Sequence, residues 1–147
     1  MDGRAARISL CKRGGVGHDA RDIDEHSYVA RLKTVDTTIL VDLFIFQLST
    51  NDTGRGVPIE HTEAAIRFIV TYVKDTFGCP IAFCTNTRYD SEAYAGLVEL
   101  LYNLQNEYGF AILDFWNDEE MNAISDEKRA RYMRDHIHPY LDGYREW

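Results

Sequence analysis

The chain is short of positive charge. Lys and Arg number 16 against 24 Asp and Glu, a formal net charge of −8 over 147 residues. Nucleic-acid binding needs clustered cations to neutralise phosphates, so no nucleic acid is expected as a partner. No apolar run approaches the length of a membrane span, so no membrane partner is expected either. The opening Met1-Asp2-Gly3-Arg4-Ala5-Ala6-Arg7 lacks the apolar core of a secretory leader. Cysteine is scarce and odd in number: Cys11, Cys79 and Cys84, with no Cys-x-x-Cys pair. That excludes a disulfide framework and a zinc ribbon, and reads as buried thiols in a reducing compartment. A cytoplasmic location is the resulting expectation. Repeats, low-complexity tracts and linkers are also missing. What is present is a globular composition, 45% apolar and 27% charged, in a chain sized for a single domain spanning 1–147.

The element the rest is organised around is Val41-Asp42-Leu43-Phe44-Ile45-Phe46-Gln47-Leu48, a nearly continuous apolar run that reads as a strand buried on both faces. It breaks into Ser49-Thr50-Asn51-Asp52 and then Thr53-Gly54-Arg55-Gly56, a polar turn. Upstream, Arg7–Cys11 is a short strand candidate running into the glycine-rich Gly14-Gly15-Val16-Gly17, and Ser27 reads as the cap of a helix from Tyr28 to about Val35. Downstream, Glu60 to Phe77 carries a helical stripe of Ala65, Ile66, Ile69, Val70, Val73 and Phe77, stopped by Gly78. Pro80–Thr85 is a second strand. Asp90 or Ser91 caps a long helix with Tyr94, Leu97, Val98, Leu101, Leu104 and Tyr108 inward, and Phe110–Asp114 is the last strand. Short helical pieces follow, one capped by Ser125 and a final one starting near Leu141. Strands alternating with helices predict an α/β fold with a parallel sheet in a three-layer α/β/α sandwich.

Two stretches carry chemistry. In a parallel sheet, ligands sit at the carboxyl ends of the strands, which is where Asn51 falls; a plain chain reversal is the alternative use of Asn51-Asp52. Asp135-x-x-His138 followed by Pro139 places a carboxylate within reach of an imidazole, on backbone that the proline keeps out of a helix. A histidine acting as general base needs such a partner to fix its tautomer and stabilise its charged form. The competing readings are a surface histidine before a proline, or a metal pair from His136 and His138. The metal reading lacks support from His18, His26 or His61, whose spacings match nothing, so no metal or cofactor is assigned. The Gly14–Gly17 loop fits neither a dinucleotide fingerprint nor a P-loop.

The segments Asp42–Asp52, Leu113–Asp118 and Asp135–Pro139 with Gly143-Tyr144 resemble the SGNH hydrolases, the GDSL-type esterases and lipases. The resemblance extends from about Gly14 to Trp147. It implies a flavodoxin-like fold, a Ser–His–Asp triad, an oxyanion hole and hydrolysis of small acyl esters. By the same resemblance His138 is the catalytic base, Asp135 its orienting carboxylate, Asn51 the oxyanion-hole carboxamide, and Gly17 the donor of a backbone N–H. Gly14 and Gly15 are alternative registers for that last role, and Thr50 stands where many members have glycine.

The family's Gly-Asp-Ser block has no counterpart here, and neither does a G-x-S-x-G elbow. Of Ser9, Ser27, Ser49, Ser91 and Ser125, none is placed as a nucleophile. The expectation is a chain that lacks the family's first strand and following helix and stops within the last helix. The strand left without its neighbour then offers a sheet edge through which copies of the chain can associate. A non-catalytic remnant or binding module of the same fold is the alternative to an ester hydrolase.

Overall fold

The computed structural model of the chain describes residues 27–47 and 50–146. Three strands, β1 (Phe44–Gln47), β2 (Ile81–Cys84) and β3 (Ala111–Leu113), form one parallel sheet in the order β1-β2-β3. Helices join them: α1 (Tyr28–Leu32) precedes β1, α2 (Thr50–Gly54) and α3 (Ile59–Phe77) lead to β2, and α4 (Glu92–Tyr108) leads to β3. Three short helices follow, α5 (Glu119–Asn122), α6 (Asp126–Tyr132) and α7 (Leu141–Glu146). The α/β class and parallel pairing match the expectation from sequence. The strand expected over Arg7–Cys11 lies outside the described residues.

The long helices form where the apolar period and the end signals agree. Ser91 accepts the Tyr94 amide at 3.1 Å and so caps α4. Gly78 and Gly109 close α3 and α4 in the left-handed conformation, with φ of 61° and 70°, a region glycine enters without a Cβ penalty. The apolar stripes of α3 and α4 meet the sheet face carrying Phe44, Phe46, Ile81 and Phe83, and together with α1 they enclose the core. The rings of that face interlock, Phe44 against Phe77 at 5.0 Å and Phe83 against Phe110 at 4.9 Å. Arg67 clasps α3 to α4, reaching Glu63 at 2.8 Å, Glu107 at 2.6 Å and the Tyr108 hydroxyl at 3.0 Å.

Two expectations are corrected. The strand run was expected to be buried on both faces, yet in β1 only Phe44 and Phe46 are buried, while Ile45 is 58% exposed. The register explains it: Ile45 shares a face with Ala82 and Ala111, opposite to the face that α3 and α4 cover. The polar segment after β1 was read as a turn, but Thr50–Gly54 is one helical turn. It is pinned by Asp52, which is buried and accepts the Thr62 hydroxyl at 3.3 Å, and whose carbonyl accepts the Val57 amide at 2.9 Å.

Candidate active site

Residues 132–140 form a closed loop. Met133 and Pro139 pair as an antiparallel bridge, the Arg134 amide donates to the His138 carbonyl at 2.7 Å, and the Tyr140 amide donates to the Tyr132 carbonyl at 2.8 Å. Inside it, one oxygen of Asp135 accepts the backbone amides of Ile137 at 2.9 Å and His138 at 2.8 Å. The Nδ1 of His138 lies 2.9 and 2.8 Å from the two carboxylate oxygens. An ionised carboxylate only accepts, so Nδ1 carries the proton and donates it to Asp135. In the neutral imidazole the lone pair is then on Nε2, on the far side of the ring. The Ile137 amide, then the His138 ring, hold the Asp135 carboxyl down at about 2, against an ordinary 3.8. The dyad is open to solvent, with the His138 side chain 63% exposed and that of Asp135 40%.

The carboxyl edge of the sheet is cross-tied. At the end of β1 the Gln47 amide donates to the Asn86 side chain, beyond β2. Thr85, fully buried, donates to Asp114 at 3.1 Å and accepts the Trp116 amide at 2.9 Å. Burial pushes the Asp114 carboxyl up, but hydrogen bonds from Tyr102, Asn117 and Thr85 outweigh it and hold the group below the usual carboxylate range. Asn51 sits on the same edge, in α2, with its carbonyl accepting the Arg55 amide at 3.0 Å.

Tyr89, in the loop after β2, reaches the dyad loop. Its ring lies 5.3 Å from Tyr94, 5.6 Å from Trp116 and 5.7 Å from His136. Burial raises the pKa of its hydroxyl. A cleft of about 670 Å³ opens here, lined among others by Arg88, Tyr89, Trp116, Asn122, Arg129 and His136.

Of the sequence-expected residues, His138 and Asp135 are brought into direct contact, and Asn51 stands at the carboxyl edge. Gly17 lies outside the described residues, as do Ser9 and Ser49. Ser27, Ser91 and Ser125 each cap a helix by accepting a backbone amide, as their positions implied. Among the described residues no group of three or more His, Cys, Asp or Glu is arranged to hold a metal ion. His136 lies tilted against Tyr89 while His138 turns to Asp135, so the two imidazoles have different partners. No helix among the described residues is long and apolar enough to cross a membrane. Trp116 packs, being only 9% exposed, and Tyr89 lies between it and His136 of the dyad loop.

The family model for the GDSL-like lipase/acylhydrolase family matches residues 9–146. The chain belongs to that family. Solved structures with the same fold include a protein of Lactobacillus plantarum, 17% identical, with a TM-score of 0.69; the match covers 88% of this chain and 72% of that one. A second solved structure is 18% identical with a TM-score of 0.70, over 87% of this chain and 70% of the other. Among curated proteins none matches significantly. Membership of the acylhydrolase family and the likeness to these structures place the chain in the flavodoxin-like α/β class, and the dyad loop falls within the matched span.

Proposed function

We propose that this GDSL-family chain carries the base and oxyanion half of an ester hydrolase acting on small acyl esters. The observation that carries the reading is the Asp135–His138 pair, with Nδ1 donating to a carboxylate and Nε2 left as a base facing solvent. In this mechanism a serine hydroxyl attacks the ester carbonyl and His138 Nε2 takes its proton. Asp135 holds the ring and balances its charge. The same proton goes to the leaving alcohol, and a water deprotonated by Nε2 then releases the acid and restores the serine. Asn51 and the Gly17 amide donate to the oxyanion, where each such donor is worth roughly 3 kcal/mol. No Gly-Asp-Ser run occurs in these 147 residues, and none of their serines is assigned the nucleophile's role.

The test is hydrolysis of p-nitrophenyl acetate by the full gene product. His138→Ala should lower kcat by about 10⁴-fold or more. Undiminished turnover in that variant rules the assignment out. The missing Gly-Asp-Ser run favours one second reading, a binding module without a nucleophile. A fluorophosphonate probe separates them: stoichiometric labelling of the full gene product supports the hydrolase, and no labelling of folded protein supports the module.

A further inference from the structure

The loops after β2 and β3 are stitched together around one side chain. The Asn122 amide group donates to the carbonyls of Phe115 at 2.9 Å, Trp116 at 3.1 Å and Asp118 at 2.6 Å, and its oxygen accepts the Arg88 backbone amide at 2.7 Å. That fixes the Arg88 backbone. Its guanidinium is fixed as well, because Nε donates to the Trp116 carbonyl at 3.2 Å. Arg129, from α6, reaches the same place and donates to the Arg88 carbonyl at 3.3 Å. These contacts go to neutral carbonyls, so they cancel neither guanidinium charge. Among the described residues no carboxylate pairs with Arg88, and its two Nη groups make no hydrogen bond.

Both guanidiniums line the cleft of about 670 Å³. Tyr89 and Trp116 line it too, edge to face at 5.6 Å, and His136 of the dyad loop is part of its lining. An aromatic wall with a few placed polar groups is what a small-ligand pocket consists of. Two carboxylates, Asp90 and Glu92, also belong to the lining. Both are exposed, and no hydrogen bond among the described residues aims either of them. Glu92 stands in the first turn of α4, where the helix end favours a negative charge. The Arg88 and Arg129 cations are tethered and these carboxylates are not, so an anion costs less side-chain ordering on binding than a cation does. The chain's net charge of −8 is screened beyond about 8 Å at physiological salt, so the local cations decide.

We propose that this cleft binds a small ligand with an oxyanion head, carboxylate or phosphate, and an aromatic or apolar body. The head sits on the planar Nη edge of Arg88, which matches two oxygens at once, with Arg129 beside it. The body lies on Tyr89 and Trp116. Binding of this kind needs no nucleophile. The proposal therefore goes beyond the ester reading and stands or falls apart from it: a hydrolase uses the cleft to select its ester, and a binding module uses it as the whole site.

The experiment titrates the full gene product with four probes that share one ring: benzoate, phenyl phosphate, benzyl alcohol and benzyltrimethylammonium. The NMR signals of the Trp116 indole N–H and the His136 ring are followed. At least one of the two anions should shift both signals saturably, with a Kd of about 1–10 mM, as suits so few atoms. The tighter anion names the head group. Arg88→Gln keeps a donor for the Trp116 carbonyl and removes the charge. It should weaken binding of that anion about tenfold, and Arg88→Lys should recover part of the loss. Lack of a saturable shift with either anion overturns the proposal. So does equal binding of benzyl alcohol, which reduces the site to its rings, and so does tighter binding of benzyltrimethylammonium, which assigns it to Asp90 and Glu92. Unchanged affinity in Arg88→Gln overturns it as well. Should Arg88→Gln fail to fold, Arg129→Gln decides by the same measure. Should the protein turn over no ester, the hydrolase reading fails by itself, and the titrations still decide the cleft.

Discussion

The α4 region and the dyad loop are built on opposite principles. In α4, Tyr94, Leu97, Val98, Leu101 and Leu104 are buried against the sheet and α3. In residues 133–140 only Met133 is buried, and neither α5 nor α6 before it buries any residue. Burial of apolar surface holds the first region in place. The second holds its shape by hydrogen bonds between near neighbours, which net little stability each but fix direction. The comparison teaches that the frame and the reactive geometry of this chain are separable, and that each can be damaged without the other.

Leu101→Ala sharpens that separation most. Leu101 is fully buried, and its truncation should lower unfolding free energy by about 2–5 kcal/mol in denaturant titration. The Ile137 and His138 amide signals should stay where they are in the folded protein. Movement of those signals would show that frame and loop are one unit. Gly143→Ala should do the converse at smaller cost. A Cβ there would lie 2.3 Å from the Tyr132 carbonyl oxygen and 3.1 Å from the Pro139 Cβ. Helix propensity favours alanine over glycine by about 1 kcal/mol, but overpacking against backbone costs about 1–3, so the clash wins. Hydrogen exchange should show the Tyr140 amide losing protection, since its acceptor is that same carbonyl, while the α4 core amides keep theirs.

The smallest effect is with pH. The Asp135 carboxyl is depressed in the folded protein, to about 2 from an ordinary 3.8. Its contribution is therefore present above the ordinary value and lost as pH falls through the folded one. Asp135 is exposed, so global unfolding should hardly register the change. A carboxyl ¹³C titration should place the midpoint near 2, and the Ile137 and His138 amides should shift along with it. A midpoint at the ordinary value would mean that the carboxylate is not engaged by those amides.

The frame was legible because period and punctuation agree in it. Ser91, Gly78 and Gly109 mark the ends of helices whose apolar stripes run uninterrupted. The failures have equally local causes. The apolar run at β1 says nothing about which face a helix covers, and Ile45 is as apolar as its buried neighbours. The short α2 is invisible because Thr50-Asn51-Asp52-Thr53-Gly54 has turn composition, and tertiary bonds through Asp52 make it helical. The Asp135–His138 contact was readable, since three residues of loop bring the partners together. The Tyr89 contacts were not: they reach Trp116 and His136, and no spacing in the chain announces pairings at such separations.

Every hydrogen bond described for the Asp135 carboxylate comes from within three residues of it. The motif is thus self-assembling and portable, a short cassette whose geometry travels with its own sequence. Its geometry is therefore set independently of Asn51, which a separate stretch of chain places at the sheet edge.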